Sequence, residues 1–395
     1  MEPGAWPLRV LTIFNEQRAF GGEEQAVRST VELLRFRGVD TEVLHASSRD
    51  LSDGLATKVR AAASGIYSVS SHRHAVSVVR SFDPDVVHAH NVYPLLSPSV
   101  LAACRQKGYP VVFTAHSQIL TCPTWYNLYD GNICERCFGG GEFACVVQNC
   151  RDNIFESIAY AARSATARKL GLFSRNAHVI VVGSEFMRER LQRAGYEGNR
   201  IAVLRSFVEL PDTPKRGEGD RVLYVGRLSP EKGVHVLLEA ARSLPDIPFH
   251  IVGTGPGASA LDRSSPPNVT FEGFIDDVSL SALYRRARVL VVPSVTYETS
   301  GPYVALEAMA HGLPVLGSRM GAVPETVTDG ETGLLFDPGD AADLARRLRR
   351  MWDDPVSSME MGRKARSSVF EYHTADRFYD TLMEIYSEAR ELARG

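Results

Sequence analysis

Ser294-Val295-Thr296-Tyr297-Glu298-Thr299-Ser300-Gly301-Pro302-Tyr303-Val304-Ala305-Leu306-Glu307-Ala308-Met309-Ala310-His311-Gly312-Leu313-Pro314-Val315 is the stretch on which the reading of this chain turns. An apolar run at 289–292 precedes it and reads as a buried strand. A polar loop follows, and a helix opens near Gly301 with Glu307 about one turn inside it. Free backbone N–H groups at a helix start favour phosphate, and a carboxylate just behind them accepts two hydrogen bonds from a ribose diol. The pattern therefore suggests a nucleotide diphosphate as ligand. Pro302 has no N–H, so the backbone donors of this turn are Ser300, Gly301 and the residues from Tyr303 and Val304 onward.

Outward from this unit, short runs of Val, Ile and Leu alternate with helical patterns, the signature of βαβ units and of parallel sheets covered on both faces. Strands are predicted at 8–14, 41–45, 85–88, 111–114, 179–183 and 201–204, and again at 221–225, 249–252, 269–272, 289–292, 315–317 and 334–336. Between the two series lies 209–220, whose Pro, Gly and charge content suits a domain boundary. The expected fold is α/β, with two doubly wound Rossmann-like domains facing across a cleft. The first covers 1–208 with a cysteine-rich insertion at 117–152, the second covers 221–371, and a terminal helix spans 372–395. Ligands of such sheets sit outside the carboxyl ends of the strands.

The composition fits a globular protein of ordinary type. The chain has 395 residues, 44% apolar and 23% charged, with a formal net charge of -3. That balance leaves no basic excess for nucleic acid. No apolar run approaches the roughly 20 residues of a spanning helix, and the opening MEPGAWPLRVLTIF reads as a first strand rather than a signal peptide. A cytoplasmic location is expected, with a peripheral membrane contact left open. Residues 151–176 carry Arg163, Arg168, Lys169 and Arg175 among apolar positions. Such a face attracts anionic lipid or is simply solvated.

Other motifs fall at predicted strand ends. Gly21-Gly22-Glu23 precedes the first helix, where glycine lets backbone approach a ligand and equally well makes a plain turn. Gly226-Arg227-Leu228-Ser229-Pro230-Glu231-Lys232-Gly233 places a guanidinium fork and an ammonium together, a pair suited to clamping a diphosphate. His116 follows the strand at 111–114, and His88 and His90 close another; a histidine there either orients a ligand by hydrogen bonding or serves the strand end. Gly253, Gly255 and Gly273-Phe274-Ile275 close strands of the second series and are also explained as ordinary turns. Five of six cysteines lie between 122 and 150, including the C-x2-C pair Cys134 and Cys137. They read as a zinc site, as disulfides, or as free thiols.

Together, Gly21-Gly22-Glu23, Gly226-Arg227-Leu228 with Lys232-Gly233, and Pro293-Ser294 through Val315 resemble the GT-B retaining glycosyltransferases of family 4, in a cysteine-rich branch. The resemblance covers nearly the whole chain. It implies that Arg227 and Lys232 hold the diphosphate of a nucleotide-sugar donor and that Glu307 binds its ribose. Gly21, Gly22, Ser300, Gly301, Tyr303 and Val304 line the donor, and the base lies near Gly253, Gly255, Phe274 and Ile275. His116 and Glu298 stand near the transferred sugar, and His90 lies on the acceptor side. One departure is visible: the carboxylates Glu298 and Glu307 are spaced E-x8-E where the family has E-x7-E. The resemblance further implies a structural zinc on Cys122, Cys134, Cys137 and Cys150, with Cys145 spare, and a terminal helix crossing back onto the first domain. No cofactor is implied for catalysis. The implied reaction moves a sugar to an acceptor hydroxyl with retention, the leaving phosphate taking the acceptor proton. A nucleotide-sugar epimerase of the same fold and a non-catalytic scaffold are the competing readings.

Overall fold

The computed structural model describes residues 7–16, 21–47, 65–211 and 217–395. Two six-stranded sheets form its frame. The first contains β1 (Arg9–Glu16), β2 (Asp40–Ser47), β3 (Val86–Ala89), β4 (Val111–Thr114), β7 (Val179–Val182) and β8 (Ile201–Val203), in the order β2-β1-β3-β4-β7-β8. The second contains β9 (Arg221–Val225), β10 (Phe249–Val252), β11 (Val269–Gly273), β12 (Ala287–Val292), β13 (Val315–Ser318) and β14 (Gly333–Phe336), in the order β11-β10-β9-β12-β13-β14. Every pairing in both is parallel. The expected two Rossmann-like domains facing a cleft are present.

Parallel strands covered on both faces must be apolar at successive positions, and β3, β4, β7, β13 and β14 are buried at every residue. Strand order reverses between β1 and β3 in one sheet and between β9 and β12 in the other. A crevice opens at such a reversal because the connections on its two sides leave toward opposite faces. The loops after β1, β3, β9 and β12 carry Gly21-Gly22, His90, Arg227 with Lys232, and Glu298 respectively. The topology thus gathers the sequence motifs at two facing crevices.

The chain leaves the second sheet through the helix Pro355–Tyr372 and returns in Ala375–Arg394. Leu382, Ile385, Tyr386 and Ala389 of that last helix are buried with Val10, Leu34, Val86, Val112 and Val179 of the first domain. Burying four side chains of this kind contributes several kcal/mol, at roughly 25 cal/mol per Å² of apolar area. The helix therefore ties the two halves together by its apolar stripe.

The insertion forms a short hairpin, β5 (Leu128–Tyr129) with β6 (Asn132–Ile133), and the helix Phe143–Val147, which packs on the helix Ile154–Lys169. Two of the four cations considered for a lipid-facing surface are already engaged. Arg163 is buried, its guanidinium 4.2 Å from the Tyr93 ring centre and 4.3 Å from that of Tyr160. Arg168 pairs with Glu142 at 2.6 Å. Both serve the insertion's internal packing, leaving Lys169 and Arg175 as the exposed members of the four. Among the described residues no helix is long and apolar enough to cross a membrane.

Candidate active site

The loop after β9 is built on charge pairs. Arg227 Nη2 lies 2.6 Å from Glu231 Oε1, and its Nε donates to Ser229 Oγ at 3.3 Å. Ser229 Oγ in turn donates to Glu231 Oε1 at 2.6 Å. These hydrogen bonds and the cation hold the Glu231 carboxyl below the usual range despite the opposing effect of burial. The Gly233 backbone closes the loop in the left-handed region, with φ 70°, where a side chain is strained. Gly253 and Gly255, considered for base contact, pack their backbones against the carbonyls of Gly226 and Leu228, where a Cβ would collide. Phe274 is 82% exposed, whereas Ile275 packs against the core between the second sheet and its helices.

Glu298 is held rather than loose. Lys232 Nζ stands 2.7 Å from its Oε1, and Ser294 Oγ donates to the same oxygen at 2.5 Å. Its carbonyl accepts from Ala322 N at 2.8 Å. The extra residue of the E-x8-E spacing is thus absorbed in a loop whose backbone is pinned, not in a solvated excursion.

The following helix, Tyr303–Ala310, has Pro302 at its N-cap and no side chain capping its first turn. The Tyr303 and Val304 N–H groups therefore keep their capacity for a ligand. Glu307 lies on this helix and accepts from Tyr284 OH at 2.9 Å. Burial raises its carboxyl pKa, and the Tyr284 hydrogen bond opposes the rise. Across the cleft, a Cβ on Gly22 would lie 3.6 Å from the Tyr303 ring, which brings the Gly21-Gly22 loop against this helix start. Gly301 lies against Thr326, and Ser300 lies against Gly183 of the other domain. Next to the glycine pair, burial pushes the Glu23 carboxyl up to about 7.

The first domain contributes three histidines. His116 Nε2 is 2.9 Å from His90 Nδ1, and the His90 ring centre is 4.1 Å from that of His88. His88 is fixed by Tyr386 OH at 2.8 Å and Thr114 Oγ1 at 2.7 Å. Burial depresses all three: His116 to about 4, His88 to about 3 with a further contribution from His116, and His90 well below its ordinary value. They are neutral imidazoles near neutral pH.

Several contacts join the domains directly. Thr299 Oγ1 donates to the His116 carbonyl at 2.6 Å, and Ser184 Oγ donates to the Thr299 carbonyl at 2.8 Å. Glu325 accepts from Glu185 N at 2.9 Å and Phe186 N at 2.7 Å, capping the helix Glu185–Arg193 from the opposite domain. The insertion adds Tyr297 OH donating to Glu135 at 3.0 Å, Glu135 also pairing with buried Arg190. Tyr126 accepts from Thr296 through its carbonyl and from Arg227 through its hydroxyl.

All six cysteines are free. Cys134 and Cys150 both approach Gln148 Oε1, at 3.6 and 3.8 Å, while Cys122 lies 3.4 Å from Thr124 Oγ1. Cys145 is buried with Cys137 and Ala161 in a small core of its own. Among the described residues no three His, Cys, Asp or Glu side chains form a metal-holding group. Burial, reinforced by neighbouring thiols, pushes Cys137 up to about 12 and Cys145 also strongly up.

The arrangement unites Arg227, Lys232, Glu298 and Glu307 along one wall and His90 and His116 on the other. Sequence reading missed Glu231, Tyr284, Tyr126, Glu135 and Glu325. Glu231 stands beside Lys232 in the quoted motif and was visible there; the others act across long sequence separations.

This is the frame of a GT-B glycosyltransferase. A Glycosyltransferase Family 4 model matches residues 20–210 and a Glycosyl transferases group 1 model matches 208–368. A glycogen synthase of Mycobacterium tuberculosis is 30% identical over 75% of this chain and 67% of its own length. The chain belongs to this glycosyltransferase family. It spans 37% to 67% of the length of the first curated relatives it matches. Among solved structures, sucrose-phosphate synthase from Thermosynechococcus elongatus aligns with a TM-score of 0.73 at 21% identity, covering 96% of this chain and 98% of that one. Anabaena HepE in complex with UDP-glucose aligns at 0.66 and 16% identity, covering 96% and 99%.

Proposed function

We propose that this chain is a retaining transferase that moves a sugar from a nucleotide-diphosphate donor to an acceptor hydroxyl. The observation that carries the reading is the pair Arg227 and Lys232, set at the β9/β12 crevice beside an uncapped helix start with Glu307 behind it. In this reading the two cations take up charge developing on the leaving diphosphate, an electrostatic role of the kind that dominates many transfers. Glu307, oriented by Tyr284, accepts from the ribose diol. Glu298 exchanges Lys232 for the sugar as the diphosphate claims the lysine. His116 supplies neutral hydrogen bonding at the reacting carbon, and His90 fixes its ring. The leaving phosphate takes the acceptor proton, so no side chain is assigned as general base. A nucleoside diphosphate as donor half is supported by the solved UDP-glucose complex of similar fold. The domain division falls in 209–220, and a cytoplasmic setting suits six free thiols.

Thiolate-rich sets suit zinc, and we propose that Cys122, Cys134, Cys137 and Cys150 would draw together on a structural zinc, although as they stand these thiols form no metal-holding group among the described residues. It would brace the insertion and take no part in transfer. Elemental analysis finding about one zinc per chain, lost with chelator along with protection of those thiols, supports this assignment; metal-free folded protein refutes it. For the main reading, thermal-shift screening of nucleoside diphosphates and their sugars, followed by mass spectrometry and anomeric analysis of products, is the test. Inverted product, or an altered donor sugar without acceptor, overturns it.

A further inference from the structure

The insertion reaches Arg227 through Tyr126. Its neighbours Trp125 and Asn127 have φ of 75° and 50°, left-handed values that non-glycine residues adopt only when their surroundings over-determine them. Here the surroundings are explicit. Trp125 N donates to the Cys122 carbonyl at 3.1 Å, while Asn127 exchanges backbone and side-chain hydrogen bonds with Cys134 at 2.8 and 3.0 Å. Buried Arg163 donates to the Pro123 carbonyl at 3.2 Å and faces the Trp125 ring at 5.4 Å. The turn is fixed on both sides, and it projects Tyr126 across the cleft.

On the far side, the Tyr126 carbonyl accepts from Thr296 Oγ1, in the same loop as Glu298. Its hydroxyl lies 3.4 Å from Arg227 Nη2, the nitrogen that also holds Glu231. A phenol both accepts and donates. This one accepts from Arg227 and has no hydrogen-bond acceptor of its own among the described residues. An anionic oxygen seated on the exposed edge of Arg227 stands within reach of that O–H.

We propose that Tyr126 is a donor-site residue supplied by the amino-terminal domain, giving a hydrogen bond to the diphosphate that Arg227 binds. The inference rests on the reading of the donor as a nucleoside diphosphate derivative. It makes the insertion the third wall of the donor pocket, so that the diphosphate is recognised fully only when the domains are closed.

The test is calorimetry on the full chain with UDP, GDP and ADP and the matching monophosphates, comparing the parent with Tyr126→Phe, which keeps the ring and the backbone contact to Thr296. The best-bound diphosphate is expected to lose affinity about ten- to a hundredfold, the size of one hydrogen bond to a charged group. Monophosphate affinity and Tm stay at the parental values. Unchanged diphosphate affinity overturns the proposal, and so does an equal loss for both ligand classes, which marks a structural role. If the parent binds none of the diphosphates, the donor reading itself fails, and this inference with it, before the variant is consulted.

Discussion

Arg227 and Lys232 on the carboxyl-terminal wall each have a carboxylate oxygen within 2.7 Å, whereas His90 and His116 on the opposite wall bond to one another and stay neutral. One wall stores charge in matched pairs; the other offers uncharged donors and acceptors. The carboxylates are the more buried partners, 11% and 14% exposed against 47% and 34% for the cations; a buried unpaired charge is costly, so each pair keeps the clamp ordered before ligand arrives. A diphosphate then competes with carboxylates of the same charge sign, and binding becomes an exchange of partners rather than a fresh burial of charge. Neutral imidazoles suit hydroxyl-bearing ligands, which need orientation and carry no charge.

The sharpest way to break this contrast is to remove a cation. Lys232→Ala is expected to lower kcat/KM for the donor about a hundred- to a thousandfold, the scale of a lost transition-state electrostatic contact. His116→Ala should cost less, about ten- to a hundredfold in kcat as a lost positioning hydrogen bond. Steady-state kinetics with the donor found by screening checks both. An equal or larger loss at His116 would remove the distinction between a charged and a neutral wall.

Acid should expose the neutral wall selectively. His88 and His116 titrate in the folded chain at about 3 and about 4, below the roughly 6.5 of an unfolded histidine. Above about pH 6.5 neither state binds the proton and stability is indifferent to these rings. As pH falls from there, the unfolded chain takes up protons that the folded chain refuses, so stability drops until the folded values are reached. By pH 4.5 the contribution of His88 alone is a loss of about 2 to 3 kcal/mol. Urea denaturation between pH 7.5 and 4.5 measures it, and His88→Gln should flatten the slope. A slope unchanged by that substitution would mean that other groups govern acid unfolding.

The two walls also differed in how far the sequence revealed them. Arg227, Lys232 and Glu307 lie within single strand-loop-helix units, where spacing along the chain nearly dictates spacing in space. The twelve strands of the two large sheets followed from the same local regularity, whereas the β5-β6 hairpin did not. Glu231 was in view but given no role, because a carboxylate beside two cations carries no signal until the distances are known. Tyr126 meets Arg227 across 101 residues, Tyr297 meets Glu135 across 162, and Glu325 reaches Phe186 across 139. Such contacts depend on how two separately folded sheets dock, and no periodicity encodes that. At Gly253 and Gly255 the missing Cβ atoms make room for neighbouring carbonyls, a packing need that a glycine in the sequence does not distinguish from a ligand contact.

A moderate effect is expected at Glu307, the proposed ribose contact of the charged wall. Glu307→Gln keeps a hydrogen bond from Tyr284 but replaces one oxygen acceptor with a donor amide, so one ribose hydroxyl loses its acceptor. Donor KM should rise about tenfold with little change in kcat, the mark of binding shared by ground and transition states. A loss confined to kcat would move Glu307 from ribose to the reacting centre.

The smallest effect belongs to the join between the walls. Glu325 caps a helix of the opposite domain with both oxygens, at 2.9 and 2.7 Å, and the contact exists only while the cleft is closed. A cap of this kind contributes about 1 kcal/mol, which in a two-state opening changes the closed-to-open ratio by about fivefold. Glu325→Ala should therefore raise donor KM by no more than that factor, and small-angle scattering of the ligand-free variant should show a larger radius of gyration. The Ser184 and Thr299 bonds remain, so closure is weakened and not lost. Saturating donor should restore both the compact shape and the parental kcat, because ligand binding to the closed form outweighs a deficit this small. Lys232→Ala should resist the same rescue, since its deficit lies in the transition state. If saturation fails to restore Glu325→Ala, the carboxylate does more than hold the walls together, and the neutral and charged surfaces are coupled chemically as well as mechanically.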